Sequence, residues 1–387
     1  MRITEITPYP IRDEDGQTYL IVRVDTDAGI HGLGEVGIKV WGESVIAALH
    51  HLSELVVGAD PWETERLWQL MFRRAFFPAD RVYTSAISAI DIALWDIKGK
   101  AAGLPVYKLL GGPVRDKVVC YPHLGGATPE LLVEQCEAAV DAGWKFLRWH
   151  LAAPGESRER PERDEFEPTE AVALAVEMMS RVREAVGPTI EICLDVHTRL
   201  GPAHVVDLCR QVTPLRPFFI EDPLRSENPG SYRRLRERVS LPIAAGEQWS
   251  SKWGFREAIE EELIDYARVD LGIAGGLTEG RKIGGWAETH FIDLVPHNPL
   301  GPVSAAAGVA LCMASTNVGV QEMPRAPGSY ARELFPEQIG WEDGYAFCPD
   351  TPGLGVTMDL DAARAALVEP GGWPPRLQRR DGSFTNW

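Results

Sequence analysis

Ile190-Glu191-Ile192-Cys193-Leu194-Asp195 is a short apolar run closed by a carboxylate, and the pattern returns in Pro217-Phe218-Phe219-Ile220-Glu221 and in Leu241-Pro242-Ile243-Ala244-Ala245-Gly246-Glu247. A carboxylate at the end of a buried strand is costly unless a cation meets it. Both steps, from Asp195 to Glu221 and on to Glu247, are 26 residues. That is close to one strand–helix unit of an eight-unit barrel of about 250 residues. Neighbouring parallel strands then aim three carboxylates at one point. Three hard oxygen ligands suit Mg²⁺, which keeps positions open for water and substrate.

Working outward, the chain alternates strand and helix from about residue 116. Candidate strands are Val118–Tyr121, Phe146–Leu151, Ile190–Asp195, Phe218–Glu221, Ile243–Ala245, Tyr266–Asp270, Phe291–Val295 and Gly319–Glu322. Helical spacing fills Pro129–Ala142, Glu170–Val186 and Gly254–Glu261 between them. Eight alternations predict an α/β fold, a modified (β/α)₈ TIM barrel, rather than an open doubly wound sheet. Gly272-Ile273-Ala274-Gly275-Gly276 lacks the spacing of a dinucleotide-binding turn.

Ahead of the barrel, strands and turns to about residue 45 are followed by helical spacing over Ser44–Val57, Glu63–Phe72 and Ser85–Lys100, and Gly103-Leu104-Pro105 stops the last helix. The expected organisation is an N-terminal α+β capping domain over 1–115, a barrel over 116–330, and a Gly-, Pro- and Trp-rich C-terminal segment over 331–387 that completes the cap. The charge run Glu156–Glu165 reads either as a solvated loop or as a lid, because loops after barrel strands line active sites.

The totals exclude some classes. Over 387 residues, 45% are hydrophobic and 25% charged, as in an ordinary globular protein. A net charge of −17 argues against nucleic acid or an anionic membrane as partner. It does not argue against a small anionic substrate, because a metal and local cations set the field inside a site. Cys120, Cys136, Cys193, Cys209, Cys312 and Cys348 are scattered without a C-x-x-C pair, which reads as reduced thiols. The start, Met1-Arg2-Ile3-Thr4-Glu5, carries no apolar signal region, and no stretch is long enough to span a bilayer. A cytoplasmic homo-oligomer is the expectation.

The residues that carry chemistry stand at strand ends. Side chains two apart on a strand face the same way, so His197 in Asp195-Val196-His197 accompanies a candidate ligand, as ligand, acid or a surface histidine. The same period links Arg148 and His150. Arginine cannot act as a base at neutral pH but can hold a substrate carboxylate by two parallel hydrogen bonds. His150 reads as acid, base or hydrogen-bonding residue, and a structural role for the pair is the alternative. Asp270 closes the sixth candidate strand and His297 follows the seventh. A carboxylate on one imidazole nitrogen fixes the tautomer, which makes His297 a candidate general base. Glu322 closes the eighth strand and His123 follows the first; both are candidates for substrate contact, with a structural partnership equally open for Glu322.

With these residues in hand, nearly the whole chain resembles the enolase superfamily, in its mandelate racemase-like branch. Ser85-Ala86-Ile87-Ser88-Ala89-Ile90-Asp91-Ile92-Ala93-Leu94-Trp95-Asp96-Ile97-Lys98-Gly99-Lys100 and Leu109-Leu110-Gly111-Gly112 look like the branch's capping helix and its exit. Asp195, Glu221 and Glu247 fall on its three metal-ligand positions. Where the branch's racemases and cycloisomerases carry Lys-x-Lys, this chain reads Arg148-Trp149-His150. Pro296-His297-Asn298-Pro299-Leu300-Gly301-Pro302, the Asp270 partner and Asp195-Val196-His197 resemble the galactonate-type sugar-acid dehydratases, although that group has Lys-x-Asn in place of Arg148-x-His150. Asp195-Val196-His197-Thr198-Arg199-Leu200 is also similar to mannonate-type dehydratases. The resemblance implies an Mg²⁺-dependent hydro-lyase that converts an aldonate to a 2-keto-3-deoxy acid. In that chemistry, which the superfamily's His bases and Mg²⁺ exemplify, His297 takes the C2 proton and His197 assists the C3 hydroxyl. The competing expectations are a 2-hydroxy-acid racemase or epimerase using His297 and His150, and a metal-stabilised scaffold without catalysis.

Overall fold

Gly32 and Gly34 decide how the N-terminal unit packs. A Cβ on either would run into the backbone oxygen of Ala93 or Ala89, so only glycine lets strand and helix approach this closely. The computed structural model describes residues 1–38, 40–152, 165–371 and 377–385. In it, strands β1 (Ile3–Arg12), β2 (Thr18–Thr26) and β3 (His31–Glu35) form an antiparallel sheet in the order β1-β2-β3. Asp13 turns the first hairpin by accepting the backbone N–H of Asp15 (3.1 Å) and Gln17 (2.7 Å). Helices α1 (Gly42–Val56), α2 (Thr64–Arg73) and α3 (Arg81–Ala102) cover the sheet. The start of α3 is capped by the Asp80 carboxylate, and Gly103 ends it at φ 68°. Helix α4 (Val106–Leu109) leads out.

Strands β4 (Val118–Tyr121) and β5 (His123–Leu124) are one barrel strand broken at Pro122, which has no N–H for a ladder. Its first half pairs with β12 (Gln321–Glu322) and its second with β6 (Phe146–His150), both parallel. Strands β7 (Glu191–Asp195), β8 (Phe219–Glu221), β9 (Ile243–Ala245), β10 (Tyr266–Ala267) and β11 (Asp293–Leu294) continue the parallel sheet. The Leu294–Val318 bridge joins its far edge toward β12, so the sheet curls into a barrel. Helices α5 (Pro129–Asp141), α6 (Pro168–Val186), α7 (Pro202–Val212), α8 (Ser231–Arg236), α9 (Lys252–Glu260), α10 (Gly276–Glu288) and α11 (Pro302–Met313) form the connections. Tyr121, Cys193, Phe219 and Ala244 on the strands, with Val295 and Val320 directly beside β11 and β12, fill one buried cluster.

Several strands are shorter than the apolar runs suggest. The sixth stops at Ala267 rather than Asp270, because the chain turns where the Asp270 carbonyl accepts the N–H of Ile273 and Ala274. Phe291 lies outside the seventh, 95% exposed at φ 56°. The eighth begins at Gln321, with Gly319 donating instead to Leu294. Beyond the barrel, the hairpin β13 (Gly340–Glu342) and β14 (Tyr345–Phe347) adds antiparallel to β4. Helix α12 (Leu360–Ala365) then brings the chain to β1, where Arg12 donates to Ala366 and Val368 to Pro10. All six cysteines are free thiols. Among the described residues no helix is long and apolar enough to cross a membrane. The lid reading of the 156–165 run falls mainly on residues 153–164, outside the described residues.

Candidate active site

At the carboxyl ends of the barrel strands, register alone sets Asp195 opposite both His150 and Glu221. Glu221 is fully buried, and Asp222, which follows it at φ 36°, is 4% exposed. One carboxylate oxygen from each of Glu221, Asp222 and Glu247 lies within 4.8 Å of the others. Glu221 Oε2 and Asp222 Oδ2 are buried without a hydrogen-bond partner. An unpartnered buried carboxylate oxygen is expensive, and an all-oxygen set of this kind fits a hard divalent cation. Asp195 stands at the edge of this group. Its Oδ2 accepts from Arg148 and lies 2.6 Å from His197 Nε2, while Oδ1 takes the His197 backbone N–H at 2.7 Å.

His197 reaches Asp195 by a route the strand period does not describe. β7 ends at Asp195, and His197 and Thr198 both sit in the left-handed region at φ 49° and 54°. The two side chains meet through a strained turn rather than a pleat, a departure that clusters at functional sites. The Thr198 N–H is given to the Asp222 carbonyl at 2.9 Å, which ties this turn to the acidic group. His150 remains on β6 and stacks its ring on His197, with centroids 5.1 Å apart.

Arg148 is 4% exposed, and its Nη2 is engaged by Asp195 and, at 3.1 Å, by Glu221. The structure therefore shows it gathering protein carboxylates, where the sequence suggested a substrate clamp. Glu322 is also fully engaged. Its Oε2 accepts from Arg268 (2.7 Å) and the Asn298 N–H (3.0 Å), and its Oε1 faces His123 Nε2 at 2.5 Å.

Asp270 and His297 meet as expected from the sequence. His297 Nδ1 lies 2.7 Å from Asp270 Oδ2, and the other oxygen, Oδ1, accepts the Gly272 N–H at 2.7 Å. This leaves His297 Nε2 turned to the acidic group, 3.5 Å from Glu247 Oε2.

Two residues went unnoticed in the sequence. Arg268 is completely buried. Its Nη2 reaches Glu221 (2.7 Å), Glu247 (3.1 Å) and Glu322 (2.7 Å), and its Nη1 donates to the Tyr121 hydroxyl at 2.6 Å. The signal was present: a cation two residues before Asp270 in the run Tyr266-Ala267-Arg268-Val269-Asp270 obeys the same period that singled out Arg148. Asp222 was hidden by its neighbour Glu221, because period-two counting places successive residues on opposite faces.

Electrostatics divide the groups. Burial pushes Asp195, Glu221 and Asp222 above the usual carboxylate range, and neighbouring Arg148 and Arg268 only partly oppose it. Burial acts the same way on Glu247 and Glu322, but His297 and Arg268 outweigh it and hold both below that range. Burial and the Arg148 charge push His197 down to about 3. For His297 burial also disfavours the cation, but Glu247, Glu322 and Asp270 reverse this and lift it to about 9. Burial, aided by Arg148, thus favours neutral His197, while the facing carboxylates favour protonated His297.

Set beside known proteins, the two units match two family models: Mandelate racemase / muconate lactonizing enzyme, N-terminal domain, over residues 9–111, and Enolase C-terminal domain-like over 131–363. The chain belongs to the mandelate racemase / muconate lactonizing enzyme branch of the enolase superfamily. It is 35% identical to D-galactonate dehydratase of Xanthomonas oryzae pv. oryzae (strain PXO99A) over 396 residues, covering 100% of both chains. It is 35% identical to that of Ralstonia pickettii (strain 12J) over 394 residues, again covering 100% of both. Among solved structures it resembles an enolase from Pantoea ananatis with bound D-gluconate and Mg, at a TM-score of 0.91 and 28% identity, over 100% of this chain and 99% of that one. An enolase from Agrobacterium radiobacter with bound Na and L-malate matches at a TM-score of 0.89 and 29% identity, over 100% of both chains.

Proposed function

We propose that the chain is a sugar-acid dehydratase, a hydro-lyase acting on a galactonate-like aldonate. The observation that carries this reading is the His297–Asp270 pair at 2.7 Å, with His297 Nε2 facing the Glu221, Asp222 and Glu247 group and His197 standing across it beside Asp195. Full-length identity to D-galactonate dehydratases supports the substrate class. The same reading takes residues 1–115 as cap, 116–330 as barrel and 331–387 as the segment that packs back on the cap after its hairpin has joined β4, in a cytoplasmic homo-oligomer.

Glu221 and Glu247, with Asp195 and the newly seen Asp222 beside them, would hold Mg²⁺. When bound, the metal stabilises the negative charge that develops on the substrate carboxylate. His297 Nε2 takes the C2 proton, and Asp270 fixes the tautomer and stabilises the imidazolium. His197, beside Asp195, is the group assigned to protonate the departing C3 hydroxyl; since its surroundings hold it neutral, it must take up a proton as the substrate enters before it can give one. The C2–H electrons form the C2–C3 double bond as water leaves, and the enol tautomerises to the 2-keto-3-deoxy acid. For His297 to start neutral, the field of the facing carboxylates must be offset, which is the electrostatic consequence of a divalent cation among them.

The test is a stereochemically complete panel of aldonates and aldarates with Mg²⁺, read by semicarbazide trapping of the 2-keto product. D-galactonate or a near stereoisomer should give the largest kcat/KM. Interconversion of C2 epimers without a keto acid would replace this reading by the epimerase one. Intact metal binding with no turnover across the panel would favour the scaffold.

A further inference from the structure

The loop carrying His297 runs into helix α11, and the N-terminus of that helix is held from outside the barrel. Gly301 is its N-cap and offers no side chain. Glu35, the last residue of cap strand β3, supplies the missing acceptor: Oε1 takes the Gly301 N–H at 2.7 Å and Oε2 takes the Ser304 N–H at 2.9 Å. Glu35 is fully buried, and a Cβ on Gly301 would meet its Oε1 at 2.7 Å and the Tyr19 ring at 2.7 Å. Backbone donors at a helix start suit an anionic acceptor, and two bonds to one carboxylate fix direction as well as distance. Gly301 follows His297 by only four positions.

The other half of the dyad is braced from the same side. One face of α3 presents Ser85 to the Gly272 carbonyl (2.7 Å), Ser88 to the Gly275 N–H (2.9 Å) and Asp91 to the Thr278 N–H (2.9 Å). This is the loop that begins at Asp270. The cap therefore grips both chain segments that meet in the 2.7 Å contact between Asp270 and His297.

We propose that Glu35 is a positioning residue for His297: through Gly301 and Ser304 the cap sets where the imidazole stands relative to the acidic group. The proposal rests on the reading of His297 as the base. A misplacement of about 1 Å at a reacting group costs on the order of a hundredfold in rate.

The test compares Glu35→Ala and Glu35→Gln with Leu52→Ala, a cap-core change on α1. For each, kcat, KM, thermal midpoint and amide hydrogen exchange over 297–304 are measured on the full chain. Glu35→Ala should lose about a hundredfold in kcat with KM nearly unchanged, and the Gly301 and Ser304 amides should exchange faster. Glu35→Gln, which keeps one good acceptor, should recover part of the rate. Leu52→Ala should lower the midpoint without lowering kcat. The proposal is overturned if Glu35→Ala loses no more kcat than Leu52→Ala. If Glu35→Ala does not fold, Glu35→Gln decides: a lowered kcat at the wild-type midpoint supports the proposal, and an unchanged kcat overturns it. If the wild type turns over no sugar acid, the functional reading fails by itself. Amide exchange then decides for Glu35, with equal protection of 301 and 304 in Glu35→Ala and Leu52→Ala overturning the brace.

Discussion

Replacing Asp91 by asparagine tests how the cap grips the barrel. Asp91 lies 1% exposed on α3; its Oδ2 accepts the Thr278 N–H at 2.9 Å, and its Oδ1 is buried without a partner. Burial raises its pKa from 3.8 to about 7. In the unfolded chain it ionises near the ordinary value. Below about pH 4 both states are protonated and there is no penalty. Between about pH 4 and 7 the unfolded state has released the proton and the folded state has not. Stability therefore falls by about 1.4 kcal/mol per pH unit, to a total of about 4 kcal/mol. Above about pH 7 the loss is complete and constant. The amide in Asp91→Asn cannot ionise, so the difference between variant and wild type should move in the variant's favour by about that amount from about pH 4 to pH 8. The shift, not its absolute value, is the prediction, because the amide brings donors of its own to the site. Calorimetric midpoints should show relative gain for the variant on the order of 5 °C across this range. A difference independent of pH would mean that Asp91 is ionised throughout and that burial does not govern it.

Glu221→Gln removes charge with little change in volume and should weaken Mg²⁺ binding by at least tenfold in a calorimetric titration, without unfolding the barrel; unchanged affinity would refute the metal site. His297→Asn should lose the ~10²–10⁴-fold typical of a general base, together with C2 deuterium exchange followed by NMR; exchange at the wild-type rate would assign the base elsewhere. His197→Asn should stop dehydration more severely than C2 exchange, and a substrate analogue with fluoride at C3, which needs less acid assistance, should be partly rescued in it but not in His297→Asn. The reverse pattern of rescue would exchange the two roles. Thr198→Gly removes a side chain from φ 54° and should raise or preserve the thermal midpoint, relieving about 1 kcal/mol of strain; a clear loss would show that the threonine side chain is itself needed.

The barrel was legible because several of its apolar runs are closed by a carboxylate whose polarity contradicts the run before it. Asp195, Glu221 and Glu322 do close their strands, and Glu247 follows β9 after a single glycine. Strand length was less legible. Apolar character persists past Ala267 because the turn that follows is buried too, so burial no longer signals pairing there, whereas ahead of Asp293 it comes from Phe291, an exposed residue in a left-handed turn. The capping helix was recognisable from its sequence, but what its Ser85, Ser88 and Asp91 do was not. Their partners are backbone groups nearly two hundred residues away in the chain, and a serine on a helix reads as neutral until the surface opposite it is known.

The site shows the same limit in its charges. Sequence reasoning counted anions and asked where the cation was; it took Arg148 for a substrate clamp and passed over Arg268. The structure places six carboxylates, from Asp195, Glu221, Asp222, Glu247, Asp270 and Glu322, in one connected region with two guanidinium groups from Arg148 and Arg268. Two guanidinium groups do not balance six carboxyl groups brought together, and the imbalance is visible in what the groups do: Asp195, Glu221 and Asp222 resist ionisation, and His297 is driven to about 9. Both effects have the same sign and the same remedy. A divalent cation lowers the carboxylates and His297 together, so metal binding should release protons from this region. On the proposed reading, that release would give a chain of net charge −17 a neutral base and an anion-accepting pocket in one step.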